Sequence, residues 1–407
     1  MKELVKYEFR KIWTQLTIVA VVSLIVISTI TNLIAFYDSS VAITSDGKEV
    51  KGIKSFRTIK NESKNIKGVM NQDYLDNLVK EFNSSKEKQE FKDSLGLDLT
   101  TKYNYTNHII NFANYGKDTF NNMMDLDFDF LKSEKEFYNQ YKKSVSDTIR
   151  FHNTNNWFKY TDNHMDMINE KIDKLETPFK VDYYEGLTHF IWQYESQYLL
   201  VLIVVGFALS SLFSKDSNNG IDELTLSSKF GRKKNMNARI IAGNMFAVAV
   251  YIIFIGTLLI EFGAVVSLQG WGVSIQNLWY TCLYNISAGT GILIMISHGI
   301  LGVLIVANLV MLISIKVKYS KLATLLSLSS IYILERLTYT SNTLQLQLNP
   351  IYFANSFYSA TPNAFEIYYF IGNIMIPYTL VFAVIACIYM LIIRCLTVRQ
   401  YKRYKLN

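Results

Sequence analysis

Four stretches of this chain are too long and too apolar to lie on a water-soluble surface. Leu16–Phe36, Ile240–Ile260 and Phe370–Ile393 contain no Asp, Glu, Lys, Arg or His, and Ala288–Ile315 contains only His298. About 20 apolar residues in a helix cross the ~30 Å hydrocarbon core of a bilayer, where each segment must satisfy its own backbone hydrogen bonds. Two weaker blocks complete the set. Tyr198–Phe213 is extended outward by Ile191, Trp192 and Tyr194 as an interfacial aromatic belt, and Leu322–Leu334 ends in Glu335-Arg336. The expected fold is therefore an all-α polytopic membrane protein with six transmembrane helices, the fifth the shortest.

Charge sets the orientation. The net charge of +7 would suit a nucleic-acid ligand if it were spread over one surface, but it is not. The polar stretch Asp38–Phe190 holds 22 Lys and Arg against 25 Asp and Glu, a net −3, which leaves +10 for the rest of the chain. That excess sits beside the spans in four clusters: Lys2 to Lys11, Lys215 to Arg239, Lys316 to Lys321, and Arg394 to Lys405. With six spans all four fall on one side, and basic short loops mark the cytoplasmic face. Both termini are then expected inside and the long polar segment outside. No nucleic-acid partner is expected. The first apolar block is longer than a signal-peptide core and no A-x-A-like site follows it, so it reads as a retained span. Cys282, Cys387 and Cys395 all lie in or beside spans, so no disulfide framework is expected in the outer segment.

The resulting organisation has a cytoplasmic interfacial amphipathic helix (1–15), a first span (16–37), an extracellular domain (38–190), spans two to six (191–395) and a basic cytoplasmic tail (396–407). Within the span region lie a cytoplasmic loop at 214–238 and an extracellular re-entrant loop at 338–369. In the first segment Val5, Phe9 and Ile12 recur at helical spacing while Lys2, Lys6 and Arg10 share another side, the pattern of a helix lying in the headgroup layer. A cytoplasmic extension of the first span is the alternative. The outer domain is expected to be mainly helical, with stripes at Tyr74/Leu75/Leu78/Val79/Phe82, Leu131/Phe137/Tyr138/Tyr141/Val145 and Met165/Ile168/Ile172/Leu175. Thr161 or Asp162 would cap the third, and residues 39–65 read as strand or loop. The stretch 338–369 is too aromatic for a solvated loop and is expected to dip into the outer leaflet against protein. Pro377 is expected to kink the last span.

The cytoplasmic loop carries the most specific pattern. A polar run, Asp216–Gly220, precedes a short amphipathic helix in which Ile221, Leu224 and Phe230 are apolar and Asp222 and Glu223 are acidic, ended by Gly231-Arg232. A short helix with an acidic start and an apolar face suits a groove on a partner protein. The segment resembles the loop between the second and third spans of permease subunits of ATP-binding-cassette exporters of the ABC-2 (type V) class, roughly an acidic residue followed by G-T-x-E-L-L-L-S-T-P-x-x-R. Asp216, Gly220, Glu223, Leu224, Leu226, Ser227, Ser228 and Arg232 occupy matching places, while Ile221, Thr225 and Lys229 stand where the pattern has Thr, Leu and Pro. The order of segments is similar too, from the N-terminal interfacial helix to the hairpin before the sixth span.

The resemblance implies a coupling helix, carried by Gly220, Ile221, Asp222, Glu223, Leu224, Leu226, Ser227 and Arg232, that docks on a separate ABC ATPase subunit. It implies a second permease chain, identical or similar, and a bacterial cell-membrane location. It also implies export of an amphipathic substrate, a peptide such as a bacteriocin or toxin or a hydrophobic drug, along a path lined by the second and fifth spans. The chain has no G-x-x-x-x-G-K-[ST], so ATP and magnesium are expected on the partner and no cofactor on this chain. H-E-x-x-H and G-x-S-x-G are absent as well, and no catalytic residue is assigned. The alternative class is a membrane sensor whose outer domain binds a ligand without transport.

Ionisable residues in or near spans default to function. Glu261, His298, Glu335 and Arg336 are the candidate substrate-path residues. For His298, flanked by Gly299 and Gly302, the competing role is helix packing; for the other three it is pairing or snorkelling at the interface. Asp125, Asp127, Asp129, Ser133 and Glu136 follow calcium-loop spacing, but Phe130 replaces the required glycine, so no metal site is assigned.

Overall fold

The structure, a computed structural model, describes residues 1–38, 41–43, 49–62, 67–84, 133–155, 159–215, 234–338, 348–352, 356–357 and 363–403. These residues are mostly helical, and five of the helices are long and apolar enough to cross a membrane. Helix α1 (Lys2–Ile12) is followed by a break at Trp13-Thr14, where Thr14 Oγ1 accepts the Thr17 N–H at 3.2 Å and caps the start of α2 (Gln15–Asp38). Thr17, Val21, Leu24, Ser28, Asn32 and Phe36 are buried at three- to four-residue spacing, so a single stripe of α2 meets the bundle.

The outer segment is built from short pieces. Strands β1 (Val41–Ile43) and β2 (Glu49–Lys51) pair antiparallel and lead into α3 (Ile53–Glu62). That helix corrects the strand-or-loop expectation for 39–65. Its buried Ser55, Phe56 and Ile59 follow a helical period. Strand β3 (Gly68–Val69) pairs antiparallel with the later β4 (Lys180–Val181), closing the segment on itself. Between them run α4 (Gln72–Ser84), α5 (Glu134–Thr154) and α6 (Asp162–Asp173). On α4, Leu75 is buried and Tyr74 partly so, whereas the side chains of Leu78, Val79 and Phe82 lie outside the described residues, as does Leu131. The other two expected stripes are buried as read, and Thr161 caps α6 in a reciprocal box with His164.

The long helices follow: α7 (Glu185–Leu209), α8 (Met236–Val265), α9 (Ala288–Lys316), α10 (Ser320–Leu337) and α11 (Tyr378–Arg403). Helix α9 is central and packs against α7, α8, α10 and α11. The five candidates for crossing are α2, α7, α8, α9 and α11. Helix α10 carries Lys321, Glu335 and Arg336 within its 18 residues and is not among them.

Three boundaries differ from expectation at the C-terminal end. The block Phe370–Ile393 is not one helix. Strands β5 (Tyr368–Ile371) and β6 (Ile374–Pro377) pair with Ile371 opposite Ile374 around Gly372, whose φ of 58° suits a two-residue hairpin turn. Pro377 therefore ends a strand instead of kinking a helix; at the mouth of α11 its missing N–H costs no intrahelical bond. The tail expected from 396 is helical to Arg403.

The centre of the bundle packs through glycine. A Cβ added to Gly299 would stand 2.1 Å from Tyr194 Oη and 2.2 Å from Tyr251 Oη; one added to Gly302 would stand 2.6 Å from Tyr198 Oη and 3.1 Å from the Pro350 carbonyl oxygen. The phenols use this proximity. Tyr194 and Tyr251 share a hydrogen bond of 3.1 Å, Tyr251 donates to the Ile296 carbonyl at 2.9 Å, and Tyr198 donates to the Gly299 carbonyl at 2.9 Å. Gly299→Ala is expected to destabilise the protein by about 1–3 kcal/mol through overpacking, read as a lower melting temperature in detergent. Adding Tyr251→Phe should recover part of the loss, because it removes one of the two clashing oxygens.

Candidate functional site

Two buried polar assemblies stand at opposite ends of the bundle. The first involves α1, whose buried side includes an acid: Glu8 is 3% exposed and Ile12 4%. Glu8 Oε2 lies 3.5 Å from Arg239 Nε on α8, and both side chains are buried. Arg239 also donates from Nη1 to the Leu212 carbonyl at 3.4 Å and lies over the Phe213 ring at 5.5 Å. The Phe213 and Ser214 N–H groups donate to Ser314 Oγ on α9 at 3.0 and 3.3 Å, and the Phe213 ring meets Tyr401 of α11 at 5.9 Å. Trp13 meets Phe246 of α8 edge to face at 5.1 Å. One arginine thus gathers α1, the end of α7 and the start of α8, and the same junction holds the ends of α9 and α11. It also forms both roots of the loop 216–233. Gly220, Ile221, Asp222, Glu223, Leu224, Leu226, Ser227 and Arg232 lie in that loop, outside the described residues, as do Asp125, Asp127 and Asp129.

The four substrate-path candidates occupy three separate places. Glu261 is half-buried on α8 and faces α2: one carboxylate oxygen accepts the Thr29 hydroxyl and the other accepts Asn32 Nδ2 at 2.5 Å. The seam continues inward, with Gln197 Nε2 donating to Asn32 Oδ1 at 2.6 Å and to Gln193 Oε1 at 2.8 Å, and Ser28 donating to Gln197 Oε1 at 2.5 Å. His298 bridges α9 to α11: Nδ1 lies 2.8 Å from the Ile294 carbonyl and Nε2 3.0 Å from the Thr379 carbonyl, between the rings of Phe357 and Phe382. Arg336 turns back along its own helix, donating from Nε to Tyr332 Oη at 2.9 Å, and Glu335 is half-buried beside it.

The second assembly was missed by sequence reasoning. Glu195 on α7 is 5% exposed and accepts the backbone N–H of Phe357 at 2.8 Å. The Phe357 carbonyl accepts Trp279 Nε1, and its ring packs on His298 at 5.4 Å and Phe365 at 5.2 Å. Next to Phe365, Glu366 pairs with His152 of α5 and accepts the Thr281 hydroxyl at 3.1 Å, and Thr281 in turn accepts Asn363 Nδ2 at 3.3 Å. The Tyr160 hydroxyl donates to the Tyr368 carbonyl and accepts the Tyr368 N–H, each at 3.0 Å. A continuous polar and aromatic network therefore runs from the outer segment down to the waist of α9. The signal for Glu195 was an acid inside a helix-length block, hidden because the aromatic belt assigned it to the interface. Glu366 and His152 carry no local signal.

Helix α5 ties this network to the outer segment. Its Tyr138 hydroxyl donates to the Met70 carbonyl at 3.0 Å and accepts the Phe179 N–H at 2.8 Å, and Tyr141 donates to the Tyr280 carbonyl at 2.8 Å. Burial, above all, holds both phenols above their ordinary range. Among the described residues no group of three or more His, Cys, Asp or Glu is placed to hold a metal ion. Compared with protein-family models, with curated proteins and with solved structures, the chain matches none.

Breaking one side of the cytoplasmic pair is expected to cost about 3–5 kcal/mol, because the other charge stays buried. Arg239→Met and Glu8→Leu should each lower the melting temperature strongly, whereas the double variant should recover much of the loss. Strict additivity in that cycle would show that the two side chains do not couple. At the outer end the raised phenols favour the folded state fully below pH ~10, and that contribution is lost as pH climbs above it. The tyrosinate absorbance of Tyr138 and Tyr141 should thus emerge together with loss of the outer segment's structure in alkali, a step that Tyr138→Phe and Tyr141→Phe remove from the titration.

Proposed function

We propose that this chain is the permease subunit of an ATP-driven exporter of the ABC-2 class, embedded in a bacterial cell membrane with both termini cytoplasmic and residues 38–190 outside. In this reading α2, α7, α8, α9 and α11 cross the membrane, α10 is a short fifth span, and α1 is the interfacial helix. Residues 338–369 are the re-entrant loop. The Pro350 carbonyl next to Gly302, at the midpoint of α9, supports that reading.

The observation that carries the proposal is the junction at Glu8 and Arg239. A loop meant to receive force from an ATPase needs rigid roots. Residues 216–233 have them: α1, α7, α8, α9 and α11 converge where the loop leaves and returns. Gly220 to Arg232 dock on the ATPase, with Glu223 at the centre. ATP and magnesium belong to that partner, which closes on binding ATP; the junction passes the movement to the spans. The path between the second and fifth spans is shut here. The Ser210 and Thr324 hydroxyls lie 2.7 Å apart, and a Cβ on Gly206 would stand 2.5 Å from Ile331 Cδ1. The cargo is an amphipath, a peptide or a hydrophobic drug, and a second permease chain completes the transporter.

The test is affinity purification of the tagged chain from native membranes, wild type and Glu223→Arg. A stoichiometric ATPase with the wild type, depleted about tenfold or more by the charge reversal, is the expected result. ATPase retained equally by both would remove Glu223 from the interface. No ATPase in detergents that preserve other such complexes would sink the exporter reading in favour of a sensor.

A further inference from the structure

Glu195 is an expensive residue where it stands. It lies ten residues below the outer end of α7 and fourteen above the inner end, so its carboxylate is ~21 Å from the cytoplasmic end of that helix, well inside a ~30 Å hydrocarbon core. A buried carboxylate must be answered by donors. The donor here is the backbone N–H of Phe357, and Phe357 lies outside every described helix and strand. It sits in the connector that enters the bundle between α10 and β5, the same connector that brings Ile351 to full burial.

The surroundings suit a positive charge. Tyr194 and Tyr352 are within electrostatic range of Glu195, and Phe357 and His298 stack beside it. Aromatic faces attract cations, more strongly once water is excluded. The other buried carboxylate of this network, Glu366, already faces an imidazole. For cargo to pass, Phe357 must withdraw, and its N–H then leaves a carboxylate in low dielectric. A cationic group entering at that moment restores the balance; a neutral one does not.

We infer that Glu195 is the binding site for the cationic group of the transported amphipath, and that the Phe357 N–H occupies this site while it is empty. The inference rests on the exporter reading and narrows its cargo to molecules that combine an apolar body with an amine, guanidine or other onium group. The connector and the cargo then compete for one carboxylate, so the gate opens more readily for a cation than for a neutral or anionic analogue of the same shape.

The experiment is equilibrium binding of tetraphenylphosphonium to the full chain in lipid nanodiscs, with tetraphenylborate as the probe of opposite charge and nearly identical shape. Saturable tetraphenylphosphonium binding is expected, weakened about tenfold by Glu195→Gln. That variant keeps an oxygen to accept the Phe357 N–H, so its melting temperature should stay near wild type. Phe357→Ala should tighten binding several-fold by weakening the competing connector. Should the glutamine variant misfold, the wild type still answers: tetraphenylphosphonium, but not tetraphenylborate, should protect Glu195 from dicyclohexylcarbodiimide as mapped by mass spectrometry. Equal binding of the two probes, binding indifferent to Glu195→Gln, or absence of protection would overturn the assignment. The two readings fail separately. Glu195-dependent binding without a copurifying ATPase leaves the cation site and removes the exporter, and the converse leaves the exporter and removes the site.

Discussion

The structure depends on one requirement: a chain that is not helical must still satisfy its backbone where no water reaches. The connector between α10 and α11 enters the bundle as far as the midpoint of α9, and side chains answer it at nearly every described position. Tyr389 donates to the Leu348 carbonyl at 2.9 Å, Asn349 donates to the Leu334 carbonyl at 2.6 Å, and Asn349 Oδ1 accepts the Ile351 N–H at 3.0 Å. Glu195 and Trp279 hold the two sides of Phe357, and Tyr160 holds both sides of Tyr368. Polar residues in the spans are thus committed first to backbone. Lipid cannot substitute for any of them, because an unsatisfied group there costs several kcal/mol.

The same requirement explains why the outer segment is not a separate body. Helix α5 bonds to the residues that precede three long helices: Phe179 before α7, Tyr280 before α9 and Glu366 before α11. Its buried residues belong to the same apolar core as the bundle. A displacement of any of these connectors is therefore felt by one helix that lies across all three. A ligand-binding module on a flexible stalk would show the opposite, few contacts and separate cores.

What could be read from the sequence follows from the scale of each signal. Blocks free of charge locate α2, α8 and α9 to within a few residues, since exclusion of ionisable groups over ~20 residues has one physical cause. Uniform apolarity also hides structure. Phe370–Ile393 has no period, so the β5–β6 hairpin and the start of α11 looked like a single span, and the Gly372-Asn373 pair with Pro377 was the available clue. The acid on α1 was visible among Val5, Phe9 and Ile12, but its partner Arg239 lay in a cluster read wholly as a topology signal. His152 and Glu366 are 214 positions apart, and nothing local foretells a tertiary pair. Gly299 and Gly302, in contrast, were read as packing residues, because a small residue in a span needs a close neighbour to justify it.

Helix α9 is the physical link between the two assemblies. Near its inner end Ser314 accepts N–H groups from the root of the loop 216–233; at its waist Gly302 meets the Pro350 carbonyl; one turn further out His298 meets Phe357 and Thr379. From Ser314 to His298 is sixteen residues of unbroken helix, ~24 Å. A helix of that length does not compress, so movement of the loop root reaches the connector as a shift or rotation of the whole of α9. The Gly299 and Gly302 contacts leave no slack for small displacements, because a hydroxyl or carbonyl already fills the space where a Cβ would sit. Such an interface yields by changing partners rather than by stretching, which is the two-state element that coupling between distant sites requires. The tyrosines around it, Tyr194, Tyr198 and Tyr251, are the groups whose hydrogen bonds must be exchanged when it does.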